Sequence, residues 1–144
     1  MFFDTNVLVC ARFEAARGHR LARGNLTEAG VSGEPLRISG QILREFLATV
    51  TRPQPWSPPV AMDVALRDVE VLEAQFEVLE DGPLVTGALQ RLCREVAVGG
   101  KQIHDANIVA TMLAYGERRL VTFNGADFRR YGVRIDLVDL ETPP

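Results

Sequence analysis

The sequence predicts an α/β fold in which a mainly parallel sheet lies between helices on both of its faces. Short apolar segments of strand length alternate with longer segments of helical period along the chain, and this alternation is typical of parallel sheets. The chain has 144 residues, which is a usual length for one domain. It contains no internal repeat or low-complexity tract, so we expect a single domain over residues 1–144.

The predicted elements follow from local composition and period. Five short apolar segments bounded by polar residues, glycine or proline predict strands at residues 1–3, 35–39, 76–80, 119–123 and 134–140. Segments in which apolar residues recur every three or four positions predict helices at residues 5–13, 18–33, 40–52, 60–75, 83–98 and 101–116, followed by a turn and a short helix at 124–132. Thr5 or Asn6 is expected to cap the first helix. Residues 52–59 read RPQPWSPP and predict an irregular connector.

The charge and hydropathy of the chain exclude several classes of protein. The net charge is −3, which argues against nucleic-acid binding through a general positive field. No apolar run approaches the roughly 20 residues of a membrane span and no signal peptide is visible, so we expect a cytoplasmic protein without a membrane partner. Cys10 and Cys93 lie in apolar segments and are expected to be buried, reduced thiols rather than a disulfide.

Four acidic residues follow predicted strands or lie in the helices after them, at Asp4, Glu45, Asp105 and Asp127. Ligands of open α/β sheets bind beyond the carboxyl ends of the strands, so these positions indicate one sheet edge. Asp105 also lies in the middle of the apolar stripe of its helix, at about 100° per residue. A carboxylate there needs a partner, hydrogen bonds or a metal ion.

Each of these acids has an ordinary structural explanation as well. Asp4 could end a strand, and Glu45 could pair with an arginine on a helix surface. Asp127 could begin a helix after an Asn-Gly turn, and Asp105 is favoured near a helix N-terminus by the helix dipole. Only their shared placement at one predicted edge favours a common site.

The residue types indicate the chemistry of such a site. Carboxylates with few nitrogen ligands suit hard cations such as Mg²⁺ or Mn²⁺. His104 has no second histidine nearby, so a zinc site is not expected, and neither a nucleophilic triad nor a phosphate-binding loop is present. The pattern predicts metal-assisted hydrolysis of phosphodiesters.

Four segments then show a family resemblance. FFDTNVLV, ILREFLATV, IHDANIVATML and LVTFNGADF resemble, in this order, the four acidic motifs of PIN-domain ribonucleases. The whole chain is similar to the toxin component of VapBC-type toxin–antitoxin modules. The resemblance implies a PIN-like three-layer domain with strand order 3-2-1-4-5, Mg²⁺ or Mn²⁺ as cofactor, endonucleolytic cleavage of RNA, a homodimer and an antitoxin partner.

The resemblance also assigns roles to particular residues. It implies that Asp4, Glu45, Asp105 and Asp127 are catalytic and bind metal, with Glu45 binding metal or activating water. The polar side chains that support them are expected at Asn6, Thr122 and Asn124. The neighbouring Arg129 and Arg130 are candidates for RNA contact. For Trp56, packing under its proline loop is favoured over stacking on RNA.

Other functions stay open at this point. A non-catalytic PIN-like module would bind RNA or protein without cleaving, and a PIN nuclease of RNA processing would need no antitoxin. A phosphohydrolase with an aspartyl nucleophile would require a second Asp two residues after the first, but Asp4 is followed by Thr5 and Asn6.

Overall fold

The computed structural model describes residues 1–141 and contains one sheet of five parallel strands in the order β3-β2-β1-β4-β5. The strands are β1 (Phe2–Phe3), β2 (Arg37–Ser39), β3 (Glu77–Leu79), β4 (Arg119–Thr122) and β5 (Asp136–Asp139). The predicted α/β class and strand order are therefore confirmed. Residues 142–144, the end of the expected domain, lie outside the described residues.

Seven α-helices within the described residues connect and cover the strands. They are α1 (Thr5–Arg12), α2 (His19–Ser32), α3 (Gly40–Val50), α4 (Met62–Gln75), α5 (Pro83–Glu95), α6 (Gln102–Ala114) and α7 (Gly125–Phe128), and a 3₁₀ segment (Arg129–Arg134) follows α7. No helix of residues 1–141 combines the length and apolar character needed to cross a membrane.

Two local expectations are wrong. The N-cap of α1 is Asp4, whose side chain accepts a hydrogen bond from the Thr5 amide, rather than Thr5 or Asn6. Cys10 and Cys93 are both free thiols, but Cys93 is exposed. The reason is that α5 buries the face carrying Val85 and Leu92, which turns Cys93 outward.

The central strand β1 places the first candidate residue at a topological switch point. The chain runs from β1 to β2 and β3 on one side and then crosses to β4 and β5 on the other. The direction of the sheet order therefore reverses between β1 and β4, which is where open α/β sheets form their ligand crevice. Phe3 pairs with Val121, and the Asp4 amide donates to the Val121 carbonyl at 3.0 Å. Asp4 and Thr122 thus emerge side by side at the carboxyl edge.

The core holds this edge in place. Phe2 and Phe3 are fully buried, and Phe3 packs edge-on against Phe76 with ring centroids 5.7 Å apart. Complete burial of each such side chain stabilises the fold by about 1.5–3 kcal/mol. A strand of only two residues is therefore anchored well enough to fix the backbone that carries Asp4.

Candidate active site

Asp4 is the most enclosed acidic residue of the predicted set. Its side chain is only 6% exposed. Oδ1 accepts a hydrogen bond from the Thr5 amide at 2.7 Å, and Oδ2 accepts from Asn6 Nδ2 at 2.8 Å and from Thr122 Oγ1 at 2.6 Å. The carboxylate is therefore held by the first residues of α1 and by the last residue of β4.

Burial changes the acidity of Asp4. Removal from water raises the pKa of Asp4 from 3.8 to about 6, although hydrogen bonds from Thr122 and Thr5 act in the opposite direction. The charges of Glu45 and Asp105 also contribute to this raised pKa. A buried carboxylate near other acids disfavours its charged form unless a positive charge is nearby.

The predicted supporting residues join the first turn of α1 to the end of β4. Asn6 Nδ2 also donates to Thr122 Oγ1 at 3.1 Å, and Asn6 Oδ1 accepts from the Phe123 amide at 3.1 Å. Asn124 contributes through its backbone, because its amide donates to Thr122 Oγ1 at 2.9 Å. Thr122 Oγ1 thus receives two hydrogen bonds and donates its own proton to Asp4, which fixes the direction of that bond.

Glu45 is held by neutral donors rather than by an arginine. Thr5 Oγ1 donates to Glu45 Oε2 at 2.7 Å, and Gln41 Nε2 donates to Glu45 Oε1 at 2.8 Å. Thr5 follows Asp4 directly, so one residue links the first candidate acid to the second. Within residues 1–141 Glu45 forms no ion pair. Its negative charge is therefore available to interact with a cation in the site.

Gln41 is a site residue that the sequence analysis missed. It is 6% exposed, and its Nε2 also donates to the His104 carbonyl at 3.0 Å. Its Oε1 accepts from Asn107 Nδ2 at 2.8 Å. Gln41 therefore ties α3, which carries Glu45, to the first turn of α6, which carries Asp105. The available signal was its position one turn before Glu45 on the same helix face.

Asp105 lies half-buried in the first turn of α6. Burial raises its pKa, and the charges of Asp127 and Glu45 raise it further, while Arg130 and His104 oppose this effect. The predicted position on an inward-facing part of the helix is consistent with this placement. Asp105 interacts electrostatically with each of the other three predicted acids.

Asp127 lies at the rim of the site. It is exposed in α7, and its carbonyl accepts a hydrogen bond from Arg130 Nε at 3.1 Å. Arg129 forms an ion pair with Asp139 at 3.6 Å. The charge of Asp127 thus acts on Asp105, but Asp127 does not line the cavity shared by the other acids.

That cavity has a volume of about 480 Å³ and opens at the carboxyl edge of the sheet. Asp4, Glu45 and Asp105 line one part of it, and Arg52 and Trp56 line another. We name it the acidic cavity. Three of the four predicted acids therefore share one opening.

Tyr131 is a second residue that the sequence analysis missed. It is fully buried, and its hydroxyl has no hydrogen-bond partner within residues 1–141. Burial and the charge of Asp105 raise the pKa of Tyr131 to about 12. The phenol therefore stays neutral at physiological pH beside the acidic residues.

The donor chemistry of the site fits a hard divalent cation, since Asp4, Glu45, Asp105 and Asp127 offer only oxygen ligands. The enclosed Asp4 carboxylate, with its raised pKa, is the kind of group that a cation would stabilise. However, no three His, Cys, Asp or Glu side chains of the described residues form a closed group that could hold a metal ion. The residues supply suitable ligands without being gathered into a finished metal centre.

The fold and the site together define an open α/β protein with acidic residues at its topological switch point. The chain belongs to the PIN domain family, which matches residues 1–133, and the predicted resemblance is thereby confirmed. No curated protein matches the sequence.

Solved structures share this fold at low sequence identity. A chain of VapBC2 from Rickettsia felis, solved with a DNA fragment from its promoter, has a TM-score of 0.70 and 18% identity, with 96% of each chain covered. A chain of VapBC-1 from nontypeable Haemophilus influenzae has a TM-score of 0.67 and 17% identity, with 98% of each covered. VapC20 from Mycobacterium tuberculosis, described as a toxin that cleaves the sarcin–ricin loop, has a TM-score of 0.64 and 18% identity, with 88% of this chain and 92% of that chain covered.

Proposed function

We propose that this chain is a Mg²⁺- or Mn²⁺-dependent endoribonuclease that acts as the toxin of a toxin–antitoxin pair. The observation that carries the proposal is the convergence of Asp4, Glu45 and Asp105 on one open cavity at the switch point. Four like charges in this region are electrostatically unfavourable without a cation. An anionic phosphodiester would be repelled by the same charges unless a metal ion were bound.

In this proposal Asp4, Asp105 and Asp127 hold the metal, and Glu45 binds metal or activates water. The bound metal would supply charge stabilisation for the phosphoryl group and would orient the attacking water. Thr5 and Gln41 each hold one oxygen of Glu45, so the carboxylate is presented in a fixed direction.

The hydrogen bonds around Asp4 serve the same purpose. Asn6 and Thr122 fix its Oδ2 atom, and such supporting contacts orient metal ligands. Asn124 reaches this group through Thr122. Arg129 and Arg130 lie after Asp127 in the chain, where exposed guanidinium groups would contact RNA phosphates.

Comparison with the similar structures supports the biological role. Two of them are VapBC structures, and VapC20 is described as a toxin that cleaves the sarcin–ricin loop. By analogy, we propose an RNA substrate, an antitoxin protein as partner, a homodimer and a cytoplasmic location. We further propose that residues 1–144 act as one PIN-like domain.

A non-catalytic PIN-like module, or a nuclease of RNA processing without an antitoxin, is the alternative. All four acids are present, and three line one cavity, which favours catalysis over binding alone. Metal-dependent cleavage would exclude the module. If the co-expressed product of a neighbouring gene inhibits the enzyme, and activity returns when that product is removed, the toxin is favoured over the processing nuclease.

The test is cleavage of structured and unstructured RNA in Mg²⁺, in Mn²⁺ and in chelator, with wild type and Asp4→Asn. We expect Asp4→Asn to lower the rate at least about 100-fold, because it removes a charged metal ligand. Asp136→Asn is the matched control, since Asp136 is an exposed carboxylate at the start of β5. Full activity of Asp4→Asn, or cleavage that persists in chelator, would overturn the proposal.

A further inference from the structure

A second cavity lies next to the acidic cavity. It has a volume of about 390 Å³, and Cys10 and Trp56 line both cavities. Phe123 and Leu140 form part of its apolar wall, and Arg17 also lines it. We name it the aromatic cavity. Because the two cavities share these residues, they are adjacent, and successive nucleotides of one RNA strand could occupy both.

The proline-rich connector places Trp56 at the junction. Gln54 and Ser57 exchange backbone hydrogen bonds of 2.9 and 3.2 Å, which closes a tight loop that carries Trp56. Gln54 Nε2 donates to the Thr49 carbonyl at 2.9 Å, which attaches this loop to the end of α3. The helix that carries Glu45 therefore also positions Trp56.

Packing alone orients the indole. Trp56 is partly buried and packs against the core, as expected for a residue under a proline loop. Its Nε1 atom is buried and has no acceptor within residues 1–141. Within the described residues the indole is therefore held by packing, and its Nε1 donor is left without an acceptor.

The part of the aromatic cavity formed by Phe123 is closely packed. A Cβ atom on Gly18 would lie 2.4 Å from Cζ of Phe123, so the absence of a side chain at Gly18 is required for this ring position. The amide of Phe123 also donates to Asn6 Oδ1. The aromatic wall and the acidic residues are thereby held in one arrangement.

Two exposed arginines line the two adjacent cavities, one in each. Arg52 lines the acidic cavity and Arg17 lines the aromatic cavity. Within residues 1–141 neither forms an ion pair. Their charges suit phosphates that flank a bound nucleotide, on a chain whose net charge is −3.

We propose that the aromatic cavity binds an unstacked nucleobase of single-stranded RNA, next to the phosphodiester positioned at the acidic cavity. This inference rests on the proposed ribonuclease function and adds a base-binding subsite to it. Splayed bases stack on aromatic side chains in single-stranded RNA recognition, and the cavity is within the size range of small-ligand sites. An apolar segment of a partner protein would use the hydrophobic wall but would leave the two arginines without a role.

The protein contains a single tryptophan, so its fluorescence reports directly on the cavity. A short single-stranded RNA with a non-cleavable backbone is titrated into the wild-type protein in Mg²⁺, beside the same RNA with one abasic position scanned along it. We expect saturable quenching by the intact RNA and an affinity about 5- to 150-fold lower at one abasic position, as stacking energies imply. Equal affinity for every abasic RNA, or an absence of saturable quenching, would overturn the inference.

Cleavage kinetics provide the second test. Trp56→Ala should raise KM about 5- to 150-fold and weaken base preference at one position beside the cut, whereas Trp56→Phe should retain most of both. Trp56→Ala should show no further loss on the abasic substrate, because enzyme and substrate changes remove the same contact. Val133→Ala is the control, since Val133 is 87% exposed and precedes β5 at the opposite sheet edge.

The outcomes separate the subsite from the enzyme. Unchanged KM and base preference in a folded Trp56→Ala protein would overturn the base-binding subsite while leaving the ribonuclease intact. Loss of antitoxin binding in that variant, with normal RNA kinetics, would assign the cavity to a protein partner and would also overturn it. Saturable, base-dependent quenching without any RNA cleavage would support the subsite and reject the proposed enzyme.

Discussion

In metal-free protein, Asp4 should make the native state less stable as the pH rises. Its pKa is about 6 in the native state, against 3.8 for an unperturbed aspartate, so the native state binds the proton more tightly than the unfolded chain does. Between these two values the native state carries more protons, and the free energy of unfolding therefore falls with increasing pH.

The magnitude follows from the size of the pKa difference. About two pKa units correspond to about 3 kcal/mol, and about 2 kcal/mol of this loss falls between pH 4.5 and pH 7. Asp4 is 6% exposed, so solvent screening reduces the effect little. For a chain of this size, the loss corresponds to a decrease in Tm of about 6 °C.

The assay compares the Tm of wild type and Asp4→Asn across this pH range in chelator. The amide does not titrate, so the wild-type curve should fall relative to the variant curve, and groups that do not interact with Asp4 cancel in the difference. At pH 7 Asp4→Asn should be more stable than wild type, because it carries no buried charge. Its amide donor would face Asn6 Nδ2, which is also a donor, and this contact reduces the gain in stability. Parallel curves would show that Asp4 has a normal pKa, and a wild-type curve that rises relative to the variant would show that its pKa is lowered.

Two further predictions concern the same site. By binding the native state, Mg²⁺ should raise the free energy of unfolding of wild type by about 2.7 kcal/mol at a hundredfold excess over Kd, which appears as a higher Tm. Asp4→Asn should lose most of this gain, and an unchanged Tm of wild type at saturating metal would contradict a metal site. Gln41→Met should lower kcat about 10- to 100-fold with little change in KM, because Gln41 positions Glu45 rather than contacting RNA. The control is Gln75→Met, at an exposed glutamine of α4. An unchanged kcat in Gln41→Met would show that Gln41 does not position Glu45 for catalysis.

The local arrangement of Asp4 was only partly predictable. The sequence placed Asp4 at the end of the first strand, but the cap of α1 was assigned to Thr5 or Asn6 instead. The Thr5 hydroxyl donates a hydrogen bond to Glu45, and the Asn6 amide donates one to Thr122, which is 116 residues away in the sequence. These distant partners are invisible to capping preferences, which describe only neighbouring residues.

Gln41 and Trp56 show the same limit in different ways. Gln41 has an ordinary helix position, and its role depends on the His104 carbonyl of another helix. Trp56 was expected to pack under its loop, and it does contact the core. Its position between two cavities depends on where the connector folds back on α3.

The sequence by itself determined the α/β class, the mainly parallel sheet and the acidic character of one sheet edge. Period and composition report which face of each element is buried, and the resemblance to the PIN family supplied the strand order. Only the tertiary structure decided which side chains meet. It brought Asp4, Glu45 and Asp105 to one cavity, left Asp127 at its rim and joined that cavity to Trp56. The physical reason is that contacts between elements depend on helix packing and loop closure over long sequence separations, which no local pattern records.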